Sequence, residues 1–240
     1  MLRYYKIADL TVSMDSFGKT AEQAEDYLIS DCDGARADIA ITSNRQTLMQ
    51  RHPHLGEDSC EYLSTGSSLY RQLLDFGGML IHSSAVVMDG RAYLFSAPCG
   101  TGKSTHTALW QRVFGKDTAR ILNDDKPAVR LEDGCFYAYG TPWSGKTDLN
   151  INMRVPLAGV CMLRRGKENH IEPFSGARAV HAILEQTARS KDPDFMAKLL
   201  DLLQKLLEKV PVWQMECNMD PEAALVSYQA MSQGRNVRNK

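Results

Sequence analysis

Ser96-Ala97-Pro98-Cys99-Gly100-Thr101-Gly102-Lys103-Ser104-Thr105 stands between an apolar strand candidate, Arg91–Ser96, and a run with helical spacing, Lys103–Phe114. Strand, glycine-rich loop, Lys-Ser and helix, in that order, form the context in which such a loop cradles phosphate. Glycines at 100 and 102 let backbone N–H groups turn toward phosphate oxygens, and a helix N-terminus adds its partial positive charge. Lys103 is expected to neutralise the β- and γ-phosphates of a nucleotide, and Ser104 to offer a hydroxyl to magnesium. Cys99, Gly100, Thr101, Gly102, Lys103, Ser104 and Thr105 are therefore the expected nucleotide contacts. The first glycine usual in such loops is Ala97 here, and a ligand-free tight turn is the competing reading.

Downstream, Ile121-Leu122-Asn123-Asp124-Asp125-Lys126 reads as a short strand ending in acids. Carboxylates at the edge of a sheet beside the loop are placed to hold a divalent cation or accept a proton from an attacking hydroxyl. Asp124 is the expected base, and Asp125, Asp124 and Ser104 the expected metal neighbours. A polar turn between strands is the bland alternative. Upstream, Met79–Met88 reads as an apolar strand that pairs through the Asp89-Gly90 turn with Arg91–Ser96. That hairpin brings His82 close to the loop as a catalytic candidate, although a lone histidine in an apolar strand is often a packed core residue.

His82-Ser83-Ser84-Ala85, then Gly100-Thr101-Gly102-Lys103-Ser104-Thr105, then Asp124-Asp125 together resemble the nucleotide-binding core shared by HPr kinase/phosphorylase and phosphoenolpyruvate carboxykinase. The resemblance covers residues 75–165. It implies an α/β fold with a mixed β-sheet P-loop core of that type, and an ATP-dependent kinase using magnesium, with manganese as a substitute. By that resemblance His82 and Asp124 act in proton transfer at a serine, as in the kinases, or bind a divalent metal, as in the carboxykinases. The chain is too short for a complete carboxykinase. It also lacks the Arg-Pro-Pro-Glu substrate loop of true HPr kinase and has Tyr139-Gly140-Thr141-Pro142-Trp143-Ser144-Gly145-Lys146-Thr147 in that region. The expected acceptor is accordingly a hydroxyl on a peptide, a protein or a small metabolite other than HPr. A nucleotide-sensing regulator or peptide-modification accessory protein, and a carboxykinase-like metal-dependent activity, are the rival functions.

Loop 140–147 holds two glycines, a proline, Trp143 and Lys146 directly after a strand, which suits a mobile substrate loop. Trp143 and Lys146 are its expected acceptor and phosphate contacts; Trp143 packed as a lid on the core is the equal alternative. Arg189 is a weaker candidate for a substrate contact, as are Arg164-Arg165. His106, Trp110 and the stripe Leu199, Leu200, Leu203, Leu206, Leu207 read as helix packing.

The 240 residues suffice for one large domain, or one with a small appendage. The expected division is a small N-terminal α/β segment at 1–75 packed on a kinase domain at 76–240. A formal net charge of -1 with 24% charged residues argues against nucleic acid as a partner. The absence of a long apolar run argues against a membrane span. Six scattered cysteines, Cys99 among them inside the loop, suggest reduced thiols in the cytoplasm. A homo-oligomer is compatible with all of this. The basic run 234–240 reads as a frayed end. Helices are expected at Thr20–Ile29, Glu61–Phe76, Ala177–Thr187, Pro193–Lys209 and Asp220–Met231. Further strands are expected within Leu2–Met14 and at 39–42, Ala128–Leu131, Cys135–Tyr139, Val155–Leu163, His170–Phe174 and Val212–Cys217.

Overall fold

The computed structural model describes residues 2–29 and 36–233; the expectations for Cys32 and for the tail 234–240 fall outside them. The chain begins with β1 (Arg3–Ile7), β2 (Leu10–Met14), α1 (Gly18–Gln23), β3 (Ile39–Ile41), α2 (Arg45–Arg51) and α3 (Glu57–Leu73). β4 (Gly78–Leu80), β5 (Ser83–Met88), β6 (Arg91–Ser96), α4 (Lys103–Phe114), β7 (Arg120–Asn123), β8 (Ala128–Glu132) and β9 (Cys135–Tyr139) follow. The last third is β10 (Arg154–Arg165), β11 (His170–Pro173), α5 (Gly176–Leu184), α6 (Pro193–Lys209), β12 (Val212–Cys217) and α7 (Glu222–Gln233).

Nine strands form one mixed sheet, in the order β4-β8-β9-β10-β6-β5-β7 with β12 and then β11 attached beside β10. β6 and β12 both run parallel to β10, whereas β5 lies antiparallel to β6 and to β7. The expected single strand Met79–Met88 is broken at Ile81-His82. β4 pairs with β8, β5 pairs with β7, and between them the Ser83 amide donates to the Asp125 carbonyl at 3.1 Å. Residues 78–88 thus accompany 120–130 along their length, and both runs bend at the same level, which curls the sheet back on itself. The break puts His82 in a bend rather than in a regular strand.

Both faces of the sheet are covered. α5 and α6 bury Ile183, Leu199, Leu202, Leu203 and Leu206 against Leu94, Val160, Met162 and Val212. Leu200, expected in that stripe, points outward at 43% exposure, because the apolar stripe of α6 turns through Leu202 instead. On the other face α4 and α7 cover Tyr93, Phe95 and Met215. His106 is part of this packing: its Nε2 lies 3.0 Å from Ser227 Oγ, and burial pushes its pKa down to about 4.

Three two-residue hairpins set the registers. Asp89-Gly90 and Asp133-Gly134 are the turns expected from sequence, with both residues of each at positive φ. The third, Ala8-Asp9, joins β1 to β2 in the same conformation without a glycine to signal it. β1, β2 and β3 form a separate three-stranded sheet. Its buried Tyr5, Ile7, Val12, Met14, Ile39 and Ile41 pack with Leu69, Tyr70 and Leu73 of α3 and with Ala128 and Tyr139 of the main sheet. The expected helix Thr20–Ile29 shortens to α1 plus a 3-10 turn at Glu25–Tyr27, and α2 lies where no helix was expected. No helix among the described residues is long and apolar enough to cross a membrane.

Trp143 is fully buried between α3 and the main sheet, so it is not a surface contact for an acceptor. Its indole N–H donates to Thr65 Oγ1 at 3.2 Å, and its ring lies against Gly66, where a Cβ would come within 2.9 Å of Trp143 Cδ1. A glycine in mid-helix normally weakens the helix; here it makes room for the indole. Trp143→Ala should therefore cost about 3–5 kcal/mol of stability in urea denaturation; an unchanged midpoint would show that the loop closes over the core without it.

Candidate functional site

Loop 97–102 leaves β6 and turns into α4 with Gly100 at φ +77° and Gly102 at φ +122°, conformations that side chains with a Cβ rarely adopt. The loop's outer edge is braced by Arg165 at the end of β10, whose Nη2 donates to the Gly100 carbonyl at 2.6 Å and Nε to the Thr101 carbonyl at 3.3 Å. Lys103 is only 8% exposed; its Nζ folds back to donate to the Ala97 carbonyl at 3.0 Å. Burial lowers its pKa, opposed by the neighbouring Cys99, Asp125 and Asp124. The first amides of α4 have no acceptor within the helix, and Gly102, Lys103, Ser104 and Thr105 open on a cavity of about 700 Å³.

The far side of that cavity carries the acids. Buried Asn123 shapes their turn: its Oδ1 accepts from the amides of Asp125 at 3.0 Å and Lys126 at 2.7 Å, while its Nδ2 donates to the Thr141 carbonyl at 2.8 Å. Asp124 Oδ1 accepts from Ser84 Oγ at 2.5 Å and Oδ2 from Thr147 Oγ1 at 2.8 Å. Asp125 is held differently. Its Oδ1 lies 3.2 Å from His82 Nε2, and its Oδ2 meets Tyr62 OH at 3.0 Å and the Lys126 ammonium. Burial opposes ionisation of Asp125, but the hydrogen bond from His82 and the charge of Lys126 outweigh it, so its pKa lies well below the usual carboxylate range. His82 is oriented from behind by Gln186 Oε1, 3.2 Å from its Nδ1.

The expected residues Cys99, Gly100, Gly102, Lys103, Ser104, Thr105, His82, Asp124, Asp125 and Lys146 all line this one cavity. Thr101 faces the other flank of the loop. His82 contacts Asp125, not the Asp124 it was expected to assist. Trp143 lies in the core, and Arg189 forms an ion pair with Glu185 at 2.5 Å instead of reaching this cavity. Among the described residues no group of three or more His, Cys, Asp or Glu side chains could hold a metal by itself.

Sequence reasoning missed the wall supplied by the N-terminal part. Lys19, Leu55, Asp58, Ser59, Tyr62 and Leu63 line the same cavity. Lys19 Nζ donates to the Gly145 carbonyl at 2.6 Å, and the Gly145 amide donates to Tyr62 OH at 2.9 Å. Nothing local in the sequence marks these residues, because their chemistry appears only once α1 and α3 fold across the sheet. The helical spacing of α3, with Tyr70 and Leu73 pointing inward, is the one signal that could have placed Tyr62 near the bend.

Residues 60–220 match the family model described as "SynChlorMet cassette protein ScmC". The chain belongs to the ScmC family. No curated protein matches it. Among solved structures, the "Hpr(Ser) kinase/phosphatase from Coxiella burnetii" is similar at 10% identity and a TM-score of 0.37, covering 66% of this chain and 95% of that one. Lys19, Leu55, Asp58 and Ser59 all lie before the stretch that the ScmC family model covers.

Tyr62 ties α3 to Asp125 and to the Gly145 amide, and burial together with Asp125 pushes its phenol up, so it stays protonated as a donor. Tyr62→Phe keeps the ring and removes these bonds together with the one the hydroxyl accepts from Lys126 Nζ at 3.4 Å. It should lower stability by about 1.5–3 kcal/mol in urea titrations, the range for hydrogen bonds to charged groups; wild-type stability would mean that the hydroxyl carries no net interaction.

Proposed function

We propose that this chain transfers the γ-phosphate of ATP to a hydroxyl acceptor, the serine of a peptide or protein or an alcohol of a small metabolite. The observation that carries the reading is the convergence on one cavity of a strand–loop–helix turn with Lys103 at its centre and the acidic pair Asp124-Asp125. In this reading the first-turn amides of α4 and Lys103 bind the β- and γ-phosphates.

The oxygen donors Ser104 and Asp125 suit magnesium, a hard cation that takes carboxylates and phosphates together and retains water. Two such donors beside a triphosphate fit the ion, with phosphate oxygens and water completing its shell. When bound, the ion would neutralise charge on the β- and γ-oxygens.

The two carboxylates divide the work by their surroundings. Asp125, held ionised by Lys126, His82 and Tyr62, is a poor proton acceptor and serves as the fixed anion. Asp124 takes its hydrogen bonds from two neutral hydroxyls, Ser84 and Thr147, and is the base. The acceptor oxygen bonds to the γ-phosphorus as the bond to the β–γ bridging oxygen breaks. ADP leaves, and the hydroxyl proton passes to Asp124. Thr147 sits on the loop that includes Lys146, which connects acceptor binding to the orientation of the base.

Two variants test the reading. Lys103→Ala should weaken calorimetric ATP affinity by about one to two decades, since charge-assisted contacts contribute roughly 1.5–3 kcal/mol. Asp124→Asn should still bind ATP but lose about 10²–10⁴ in transfer rate with labelled ATP and a panel of serine peptides and hydroxylated metabolites. Unchanged affinity in the first variant contradicts the loop assignment. Binding of ATP with no transfer by the wild type to any acceptor favours a sensor.

A further inference from the structure

A second cavity, of about 490 Å³, opens on the other flank of the same loop. Ala97, Pro98 and Thr101 form its rim, and Met162, Phe174 and Ala182 give it apolar walls. It lies between α5 and the carboxyl end of β10, with Gln214 from the middle of the parallel strand β12 beside it and β6 parallel on the far side of β10. Crevices at the carboxyl ends of parallel strands are where open α/β sheets bind their ligands.

One polar group in this cavity is unaccounted for. Gln214, paired in register with Met162, is 8% exposed and lines the space. Its amide oxygen is enclosed and has no hydrogen-bond partner. A buried acceptor without a donor costs free energy that a ligand N–H would recover. Gln186 also lines the cavity, and its Oε1 is the partner of His82 Nδ1, so this space and the acid-bearing cavity share one connected set of side chains.

We propose that this cavity is an adenine subsite for the nucleotide whose phosphates loop 97–102 holds, an inference that rests on the nucleotide reading above. The order of the strands fixes the direction. The loop follows β6; the acids follow β7, which is separated from β6 only by β5, and β10 and β12 lie on the opposite side of β6. A triphosphate whose γ end meets Asp124 and Asp125 must leave the loop away from β7, over β10 and β12. There Met162, Phe174 and Ala182 meet the flat apolar faces of a purine, and rotation of the Gln214 amide about its last torsion turns Oε1 toward the space, where the exocyclic amino group of adenine donates to it. Guanine carries a carbonyl oxygen in the place of that amino group and would set two acceptors against each other.

Calorimetry on the full chain with magnesium and ATP, GTP or inorganic tripolyphosphate tests the subsite. ATP should bind at least about tenfold more tightly than tripolyphosphate, and more tightly than GTP. Half-buried Ala182 tolerates a larger side chain, and Ala182→Phe should fill the space and bring ATP down to the affinity of tripolyphosphate. Gln214→Leu should weaken ATP about 3- to 10-fold, the effect of one net hydrogen bond, and leave tripolyphosphate unchanged. Retained tripolyphosphate binding shows that each variant is folded. Equal affinity of the wild type for ATP and tripolyphosphate, or unaltered ATP binding in both variants, overturns the subsite. Binding of none of the three ligands overturns the nucleotide reading itself.

Discussion

Buried Asn123 sets the geometry on which the site depends. With its side-chain oxygen on two successive amides and its side-chain nitrogen on the Thr141 carbonyl, it turns the chain out of β7 while keeping the amides of Asp125 and Lys126 satisfied. A short amide side chain bonding its own backbone two and three residues on is a local alternative to the strand ladder. The accompanying run 78–88 bends at the same level, where the Ser83 amide reaches the Asp125 carbonyl. The two bends together bring His82 to Asp125 and Ser84 to Asp124. Without them the sheet would run on as a paired ladder, with neither carboxylate aimed at the loop that follows β6.

The N-terminal sheet and α3 complete what the bend begins. Tyr62 reaches Asp125 and Gly145, Lys19 holds the Gly145 carbonyl, and Tyr27 OH donates to Asn150 Oδ1 at 2.8 Å. Both peptide groups of residue 145 are thus clamped by residues more than eighty positions earlier in the chain. Because Thr147 in the same loop bonds Asp124, displacement of α3 would be felt at both carboxylates. Coupling of this kind follows from shared hydrogen bonds and needs no further device.

Much of the core architecture was legible in the sequence. Asp89-Gly90 and Asp133-Gly134 set two hairpins because a type I′ turn needs positive φ at both central positions, and the strand–loop–helix order around Lys103 was explicit. Helix α6 and strand β12 have the bounds expected of them. The break at Ile81-His82 was not legible, since apolar residues continue through it and only the pairing partners change. Trp143 was ambiguous, because a glycine- and proline-bearing loop resembles an exposed lid; its burial depends on Gly66, far away in the chain. The Ala8-Asp9 turn escaped because it lacks glycine.

In the proposed function, loop 97–102 and the acids at the bend form one nucleotide site. Amide resonances followed by NMR during titration with manganese and ATP test it most directly, since a paramagnetic ion broadens signals close to it. Gly100–Ser104 and Asp124–Asp125 should broaden together at substoichiometric manganese, and Lys103→Ala should need a higher ATP concentration for the same effect. Broadening confined to other surfaces, or at one of the two segments without the other, would contradict it.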